Sequence, residues 1–408
     1  RQMCIRDRSI IVKPTNPQYQ RLLEFCHLAK NLYNASLYDV RQHYFETKKH
    51  KTWQTQRVEF VRGNNPDYRA LPAKISGEVL KIVSKNYSSF FALRKKGLPA
   101  HIPKYLKKDG VTTLPIPKDA ISLDKHPSVN KNGDTIYTHV VSPRWLNIPV
   151  ATTVAHPRFI TVTPKYGYIC IGVVYDTKDV PTLPDNGRYM GVDVGIDNLA
   201  ACLDSDGNAL LFKGKTLKSI NQYFNKKKAR LISQLSTRGE VKTSARLERL
   251  STKRKNKISW HMHNISSLIV NYAVSHGSNT IIVGHNPQWK QSINIGRVNN
   301  QKFVSIPFSM LIQQIQYKAQ EHGINVIVTE ESYTSKCSLL DREDICKHEE
   351  YSGRRIKRGL FRSLDGTVIN ADINAAGNIM RKVVPVESLT QGIEVGAVQP
   401  QTVHYAHS

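Results

Sequence analysis

The chain reads GVDVGIDNLA at residues 191–200, an apolar, strand-like segment that is interrupted by one carboxylate, Asp193. Burying an unpaired carboxylate costs on the order of several kcal/mol. Carboxylates that persist in such strands mainly take part in metal binding or proton transfer. The plainer interpretation is that Asp193 ends its strand and caps the following turn. The segment predicts a buried strand with a candidate site at its end.

The composition predicts a polyanionic partner. Lys and Arg number 59 against 32 Asp and Glu, and the resulting charge of +27 on 408 residues exceeds what solubility alone requires. The length allows two or three domains, and the 40% hydrophobic content excludes wholesale disorder. The sequence has no run of about 18 apolar residues and no signal-peptide core, so no membrane association is expected. Six scattered cysteines favour a reducing cytoplasm over a disulfide framework.

The first half of the chain divides into a helical part and a strand-rich part. Apolar residues keep helical spacing from Leu22 to Tyr44, and a second helical pattern begins near Pro72. Short apolar runs with polar turns then predict antiparallel strands. We therefore expect a helical domain at residues 16–110 and a small β-barrel domain formed by residues 1–15 and 111–185.

The second half alternates strands with helices. Two further strands follow the Asp193 segment, and a helical stretch, a strand, a helix, a strand and a closing helix come after them. This order predicts an α/β core with a mixed sheet. We assign residues 186–332 and 371–385 to this core, with a basic helical insertion at about 215–275, a basic loop segment at 333–370 and a tail at 386–408.

Four carboxylates fall at the ends of strands or helices in this core. They are Asp193, Glu330, Glu331 and Asp372. Two divalent metals held by such acids can activate a water and stabilise the leaving oxygen of a phosphodiester, and hard oxygen ligands favour Mg²⁺ or Mn²⁺. Each acid also has a plainer interpretation, because glutamates at strand ends are commonly solvated and an aspartate at a helix start commonly caps it. Together the four are the candidate catalytic residues and metal ligands.

Basic side chains are dense in the helical insertion and in the loop segment after it. A charge run is commonly a solvated helix face, but this density in a chain of this charge favours phosphate contact. The candidate nucleic-acid-binding residues are Lys104, Lys226, Lys227, Arg230, Arg246, Arg249, Arg254, Lys336, Arg354, Arg355, Lys357 and Arg358.

Three segments resemble the RuvC-type, RNase H-like nuclease core of TnpB proteins of bacterial insertion sequences and of the related type V CRISPR effectors. They are residues 191–200, Tyr333-Thr334-Ser335-Lys336 and residues 372–379. The segments at 29–34 and 71–74 are similar too, so the resemblance extends to about residue 385. It implies an RNA-guided, divalent-metal-dependent DNA endonuclease. Its cofactors would be Mg²⁺ or Mn²⁺ and a guide RNA, its target double-stranded DNA, and its location the cytoplasm of a prokaryote, at the nucleoid when bound to DNA.

The sequence departs from the family at the second catalytic glutamate, which follows the fourth strand of the core. That position is Gly284 in this chain. Either the protein is catalytically inactive or another acid has taken over. We favour relocation to the next strand because Asp193 and Asp372 are both retained. Adjacent residues on a strand face opposite ways, so one of the two glutamates is expected to point inward, with Glu331 preferred over Glu330.

The family's zinc ribbon is a second departure. Its members carry Cys-x-x-Cys pairs, whereas this chain offers Cys337, Cys346 and His348 without paired spacing, so zinc is not expected. Two alternative functions stay open at this point. One is a catalytically inactive, repressor-like RNA-guided DNA-binding protein, and the other is a transposition accessory protein.

Overall fold

The computed structural model describes residues 8–124, 126–141, 145–176, 180–237, 239, 244–286, 306–384 and 400–403. The chain divides into two compact units, Arg1–Lys178 and Asp179–Ser408. Across the described ranges, no helix combines the length and the apolar character that crossing a membrane requires.

The first unit begins with helices that pack on one another. They are α1 (Tyr19–Thr47), α2 (Trp53–Arg62), α3 (Pro66–Arg69) and α4 (Ala73–Lys95). The apolar stripe of α1 is fully buried at Leu22, Leu32 and Leu37, as its spacing predicts. The two long helices are confirmed. The structure adds α2, whose sequence is mostly polar and charged. Phe60 is the one apolar residue that this helix buries.

The strands of the first unit form two open antiparallel sheets. They are β1 (Arg8–Val12), β2 (Leu114–Pro117), β3 (Ile121–Leu123), β4 (Ser128–Val129), β5 (Thr135–Val141), β6 (Ile148–Thr152), β7 (Pro157–Lys165) and β8 (Tyr168–Tyr175). One sheet has the order β1-β8-β7-β2, and in the other β5 pairs with β3, β4 and β6. The expected closed β-barrel is therefore not found among the described residues. A 3₁₀ turn at Lys118–Ala120 separates β2 from β3 and leaves the two ladders unjoined.

Polar residues of α1 hold the basic loop that follows α4. The side-chain amide of Asn34 donates to the Leu106 carbonyl and accepts from the Leu106 N–H, both at 2.9 Å. The Lys30 ammonium donates to the carbonyl of Lys108. Because these bonds satisfy the loop backbone, the loop is fixed on the helix with Lys104 exposed.

The second unit is built on a six-stranded mixed sheet. Its strands are β9 (Tyr189–Asp193), β10 (Asn198–Asp204), β11 (Ala209–Lys213), β12 (Thr280–Gly284), β13 (Asn325–Thr329) and β17 (Gln401–Val403), in the order β13-β12-β9-β10-β11-β17. The strands β9, β10 and β11 form an antiparallel meander, whereas β12 runs parallel to β9 and β13 parallel to β12. The mixed α/β core is confirmed.

Helices cover both faces of this sheet. They are α5 (Lys215–Ser236), α6 (Ala245–Ser275), α7 (Phe308–Gln320) and α8 (Ala371–Arg381). Met190 and Val192 of β9 pack with α6 and α7 on one face, while Ala201 and Leu203 of β10 pack with α8 on the other. A Cβ at Gly191 would overlap the carbonyl oxygen of Ala376 in α8. The glycine before Val192 therefore lets α8 lie directly on β9.

Two segments outside the central pattern contain strands. The basic loop segment 333–370 holds β14 (Arg354–Lys357), β15 (Leu360–Arg362) and β16 (Val368–Asn370) in an antiparallel sheet. The segment expected as a tail contributes β17, which lies parallel to β11 at the sheet edge. The remainder of that tail lies outside the described residues.

Candidate active site

A cavity of about 1250 Å³ opens at the end of β9, and three carboxylates from distant parts of the chain line it. Asp193 ends β9, Glu331 follows β13 by two residues, and Asp372 lies in the first turn of α8. The carboxyl ends of the parallel strands β9, β12 and β13 meet at one edge of the sheet, which is why these side chains lie together.

Asp193 carries the most perturbed carboxyl group of the cavity. Burial raises the pKa of Asp193 well above its usual value, and the negative charges of Asp372 and Glu331 raise it further, while the Arg355 guanidinium acts in the opposite direction. Carboxylates placed this close repel one another unless a proton or a cation compensates their charge. The environment of Asp193 therefore favours a bound proton or cation.

Glu331 and Glu330 have opposite environments. One oxygen of Glu331, Oε2, is buried and has no hydrogen-bond partner among the described residues. Burial, helped by the charge of Glu330, raises the pKa of Glu331 to about 7. Glu330 is half exposed, accepts from the Ser332 N–H at 2.8 Å and pairs with Lys382 at 3.0 Å. Burial alone would raise the pKa of Glu330, but these bonds from Ser332 and Lys382 outweigh it and lower the pKa.

Glu331 lies next to Gly284, and Ile379 fills the space beside that glycine. A Cβ on residue 284 would lie 3.4 Å from the Cβ of Glu331 and would overlap the side chain of Ile379. The Glu331 side chain therefore starts beside the position that a side chain on residue 284 would take. Glu330 is not among the residues that line the cavity.

Asp372 does not serve as the cap of its helix. Asn370 is the N-cap of α8, and its side-chain oxygen accepts from the N–H groups of Asp372 at 2.9 Å and Ile373 at 3.3 Å. The carboxylate of Asp372 instead accepts a 2.6 Å hydrogen bond from the Asn198 amide at Oδ2, and its Oδ1 lies 3.6 Å from the Arg355 guanidinium. The capping interpretation of Asp372 is thus excluded.

Two buried asparagines of α8 were not identified from the sequence. The Asn374 amide donates to the Cys337 carbonyl at 2.9 Å, and its oxygen accepts from the Leu339 N–H at 2.9 Å. The Asn378 amide donates to the carbonyls of Thr334 and Cys337 at 3.0 and 2.7 Å. These bonds fix the loop that follows Glu331. Their four-residue spacing, which places both on one helix face, is the signal that the sequence offered.

Cations surround the carboxylates. Lys213, Lys215, Lys218, Arg355 and Arg358 line the same cavity. The carboxylate of Asp197, in the loop after β9, pairs with both Lys218 and Arg358. Of the predicted nucleic-acid-binding residues in the loop segment, Arg355 and Arg358 thus reach the cavity. The others, Lys336, Arg354 and Lys357, are exposed outside its lining.

A second basic feature lies between α5 and α6. A groove of about 330 Å³ is lined by Lys227, Arg230, Arg246 and Arg249, all of them predicted, together with Lys253 and the exposed Tyr223. Lys226 is exposed on the same helix but does not line the groove. Arg254 makes contacts within the protein. Its Nε donates to Asn221 at 2.7 Å and its guanidinium lies 5.0 Å from the Phe224 ring centroid, so it joins the two helices.

The donor chemistry of the cavity fits a hard divalent cation. The candidate ligands Asp193, Glu331 and Asp372 offer carboxylate oxygens, and the unpartnered Oε2 of Glu331 is a buried acceptor that a cation would satisfy. In the conformation seen, no three Asp, Glu, His or Cys side chains of the described ranges are close enough to hold a metal ion together. Binding would require these carboxylates to converge.

A glutamate holds together the segment in which the family carries its zinc ribbon. The carboxylate of Glu343 accepts from the N–H of Ser338 at 2.7 Å and from that of Ser352 at 2.8 Å. Cys337 is buried, and the Cys346 sulfur lies 3.4 Å from His348 Nε2. Glu343 thus joins two parts of the loop in the region where the family carries its cysteine pairs.

Comparisons with known proteins agree with this architecture. A family model described as probable transposase, OrfB of IS605, matches residues 172–290, and the Cas12f1-like TNB domain matches residues 308–379. The TnpB-like protein ORF457 of Acidianus two-tailed virus is 26% identical over 93% of this chain and 87% of its own length. The CRISPR-associated endodeoxyribonuclease Cas12f1 of Sulfoacidibacillus thermotolerans is 27% identical over 51% of this chain and 49% of its own.

Solved structures match this chain at low similarity. The cryo-EM structure of a Cas12f1–sgRNA–target DNA complex matches with a TM-score of 0.38 and 16% identity, covering 93% of this chain and 100% of that one. By the family models and the sequence relatives, the chain is similar to TnpB-like transposon proteins and to type V CRISPR effectors. Among these, it resembles both a viral TnpB-like protein and the Cas12f effectors. It spans about half the length of that Cas12f1 and nearly all of the viral protein.

Proposed function

We propose that the chain is an RNA-guided, divalent-metal-dependent DNA endonuclease in which Glu331 replaces the glutamate missing at Gly284. One observation carries this proposal. The Glu331 side chain enters the cavity of Asp193 and Asp372 from beside Gly284 and keeps a buried oxygen that has no hydrogen-bond partner among the described residues. An unpaired buried acceptor costs roughly 1–3 kcal/mol, more when it is charged, so a cation is the natural partner for it.

The residues that would hold Mg²⁺ or Mn²⁺ are Asp193, Glu331 and Asp372. Bound there, the metal would activate a water and stabilise the leaving oxygen of a phosphodiester. Asn198 fixes the orientation of the Asp372 carboxylate by its hydrogen bond. Arg355 and Arg358 bring positive charge to the cavity, where the charge of a phosphodiester backbone would need it.

A guide RNA and double-stranded DNA are the proposed partners. The Cas12f relatives are named as CRISPR-associated endodeoxyribonucleases, which supports nuclease chemistry on DNA. The net charge of +27 and the basic groove between α5 and α6 support contacts with phosphates. We assign backbone contacts to Lys227, Arg230, Arg246 and Arg249 of this groove, and to Arg355 and Arg358 at the cavity.

A cleavage assay with a defined guide tests the function. The full chain is expressed together with the DNA that flanks its gene, and the RNA that co-purifies is sequenced. The complex is then incubated with DNA that matches or does not match this RNA, in Mg²⁺ or Mn²⁺. We expect cutting of the matched DNA alone, and its loss in Asp193→Asn with DNA binding retained. Equal cutting by Asp193→Asn would overturn the proposed site.

The inactive alternative makes a different prediction in the same assay. A guided protein that binds its target and does not cut it in either metal would be a repressor-like binding protein, which the glycine at 284 favours. Joined rather than cut DNA ends would indicate a transposition accessory role instead.

A further inference from the structure

Two of the four arginines in the β14–β15 hairpin, residues 354–362, are paired with carboxylates that line the cavity. Arg355 lies 3.6 Å from Oδ1 of Asp372, and Arg358 contacts Asp197. Asn198 occupies the other oxygen of Asp372. Both oxygens of a candidate metal ligand are thus engaged by protein groups, and the arginine stands where a cation would bind.

The hairpin backbone is anchored, so these ion pairs are the adjustable part. Phe361 of β15 is buried in the core beneath α8, and the Gly359 carbonyl in the hairpin turn accepts from the Ala371 N–H at 3.1 Å. The Arg355 and Arg358 side chains are 50% and 80% exposed. Exposed ion pairs contribute about 0–1 kcal/mol each, so a phosphate can compete for the guanidinium groups without unfolding the hairpin.

We propose that Arg355 and Arg358 form an electrostatic latch, in which their ion pairs with Asp372 and Asp197 keep the metal affinity of the free protein low. Nucleic-acid phosphates bind the two arginines, break these ion pairs and so raise the metal affinity. This inference rests on the proposed function, because it presumes that Asp372 is a metal ligand. It accounts for the finding that the carboxylates of the described residues do not converge on one point. Since coupling between two ligands is reciprocal, metal and nucleic acid would each raise the affinity for the other.

Metal binding by the free protein tests the first half of the latch. Mn²⁺ binding to the purified, nucleic-acid-free full chain is measured by electron paramagnetic resonance for wild type, Arg355→Gln and Arg354→Gln. Arg354→Gln is the matched control, because it removes the same charge one residue earlier on the same strand. Adjacent residues on a strand face opposite ways, so the Arg354 side chain points to the other face. We expect Arg355→Gln to bind Mn²⁺ about threefold more tightly or better, with Arg354→Gln near wild type.

The double variant Arg355→Gln/Asp372→Asn tests whether the effect depends on the ion pair. Its Mn²⁺ affinity should equal that of the single variant Asp372→Asn. Equal Mn²⁺ affinity in Arg355→Gln and Arg354→Gln would overturn the latch and leave the proposed nuclease untouched. Absence of Mn²⁺ binding in all variants would remove the metal site, and with it both proposals.

Nucleic-acid binding tests the second half. The affinity for a labelled single-stranded DNA of about 20 nucleotides is measured by fluorescence anisotropy with and without Ca²⁺ at matched ionic strength. We expect Ca²⁺ to increase the affinity of wild type and Arg354→Gln severalfold, and to have a smaller effect on Arg355→Gln, whose Asp372 is already free. The same Ca²⁺ effect in all three proteins would show that phosphate does not release the latch.

Discussion

The side chain of Glu331 starts 3.4 Å from the point where a Cβ on Gly284 would lie. Gly284 ends β12 and pairs with Thr329 at the end of the parallel neighbour β13, and Glu331 follows Thr329 by two residues. A carboxylate in this loop therefore reaches the cavity from beside the end of β12. The space at residue 284 itself is taken by Ile379 of α8, which a Cβ there would overlap. The packing around Gly284 thus leaves Glu331 as the neighbouring source of a third carboxylate.

Replacing Glu331 by Gln should abolish guided cleavage while leaving target binding intact. The amide keeps the size of the side chain but loses the charge that a metal would need, and we expect a rate loss of about a hundredfold or more. Cleavage rates and gel-shift affinities of the purified complex are the measurements. Glu330→Gln is the matched control and should remain within about threefold of wild type, because Glu330 pairs with Lys382 at the surface. Loss of cleavage only in Glu330→Gln would contradict the proposal and make Glu330 the catalytic glutamate.

The same pair of variants should respond oppositely to pH when no metal is present. Burial raises the pKa of Glu331 from 4.5 to about 7, so the folded protein holds a proton there that the unfolded chain releases at lower pH. The fold therefore loses stability as pH rises from about 4.5 through about 7. Melting temperatures in chelator should show Glu331→Gln gaining on wild type between pH 5 and pH 8.

Glu330 gives the reverse sign, because hydrogen bonds from Ser332 and Lys382 outweigh burial and lower its pKa. Its carboxylate stabilises the fold above the unfolded value of 4.5, and this contribution is lost as pH falls. Glu330→Gln should therefore melt slightly below wild type from pH 8 down to about pH 5 and approach it only as pH falls below 4.5. Parallel pH profiles for the two variants would contradict the assigned environments.

Much of the core could be predicted from the sequence because its signals are local. The β-branched run Thr280–Val283 and the apolar spacing of α1 each determine one element, and the order of elements limits the sheet to few topologies. That Asp193, Glu331 and Asp372 line one cavity followed from their positions at strand and helix ends. The roles of these residues in metal binding and cleavage stay predictions.

The features that were missed depend on contacts between distant segments. Alternating residues predict strands of the first unit but not their partners, so two open sheets were expected as a barrel. The strands β14 to β16 and β17 are only three or four residues long, too short for a periodic pattern. The inward position of Arg254 depends on how α6 is rotated against α5, which its own charge run does not indicate.

Replacing Gly191 by Ala should separate β9 from α8. The added Cβ would overlap the Ala376 carbonyl oxygen, a backbone atom that cannot rotate away, so the helix carrying Asp372 must shift. Overpacking of this kind costs about 1–3 kcal/mol. Hydrogen exchange of α8 and the melting temperature are the measurements, and we expect faster exchange in α8 together with weaker Mn²⁺ binding.

Gly77→Ala is the control for a buried glycine without such a contact. Gly77 lies inside α4, and a Cβ there would have nothing within 4 Å. Alanine in a helix interior is favoured over glycine by about 0.5–1 kcal/mol, so this variant should be at least as stable as wild type. Loss of stability in Gly77→Ala of the same size as in Gly191→Ala would mean that close packing on α8 is not the cause.

Arg230 and Arg254 should separate phosphate contact from packing in the helical insertion. Arg230 is exposed and lines the groove, so Arg230→Gln should weaken binding of the co-purified RNA and lower the slope of log affinity against log salt by up to about one. Arg254 bridges Asn221 and Phe224, and burial lowers its pKa. Arg254→Gln should therefore reduce the melting temperature and leave the salt slope unchanged. Salt-dependent affinities and melting curves of both variants distinguish the two roles. A reduced slope of log affinity against log salt in Arg254→Gln, without loss of stability, would make Arg254 a phosphate ligand.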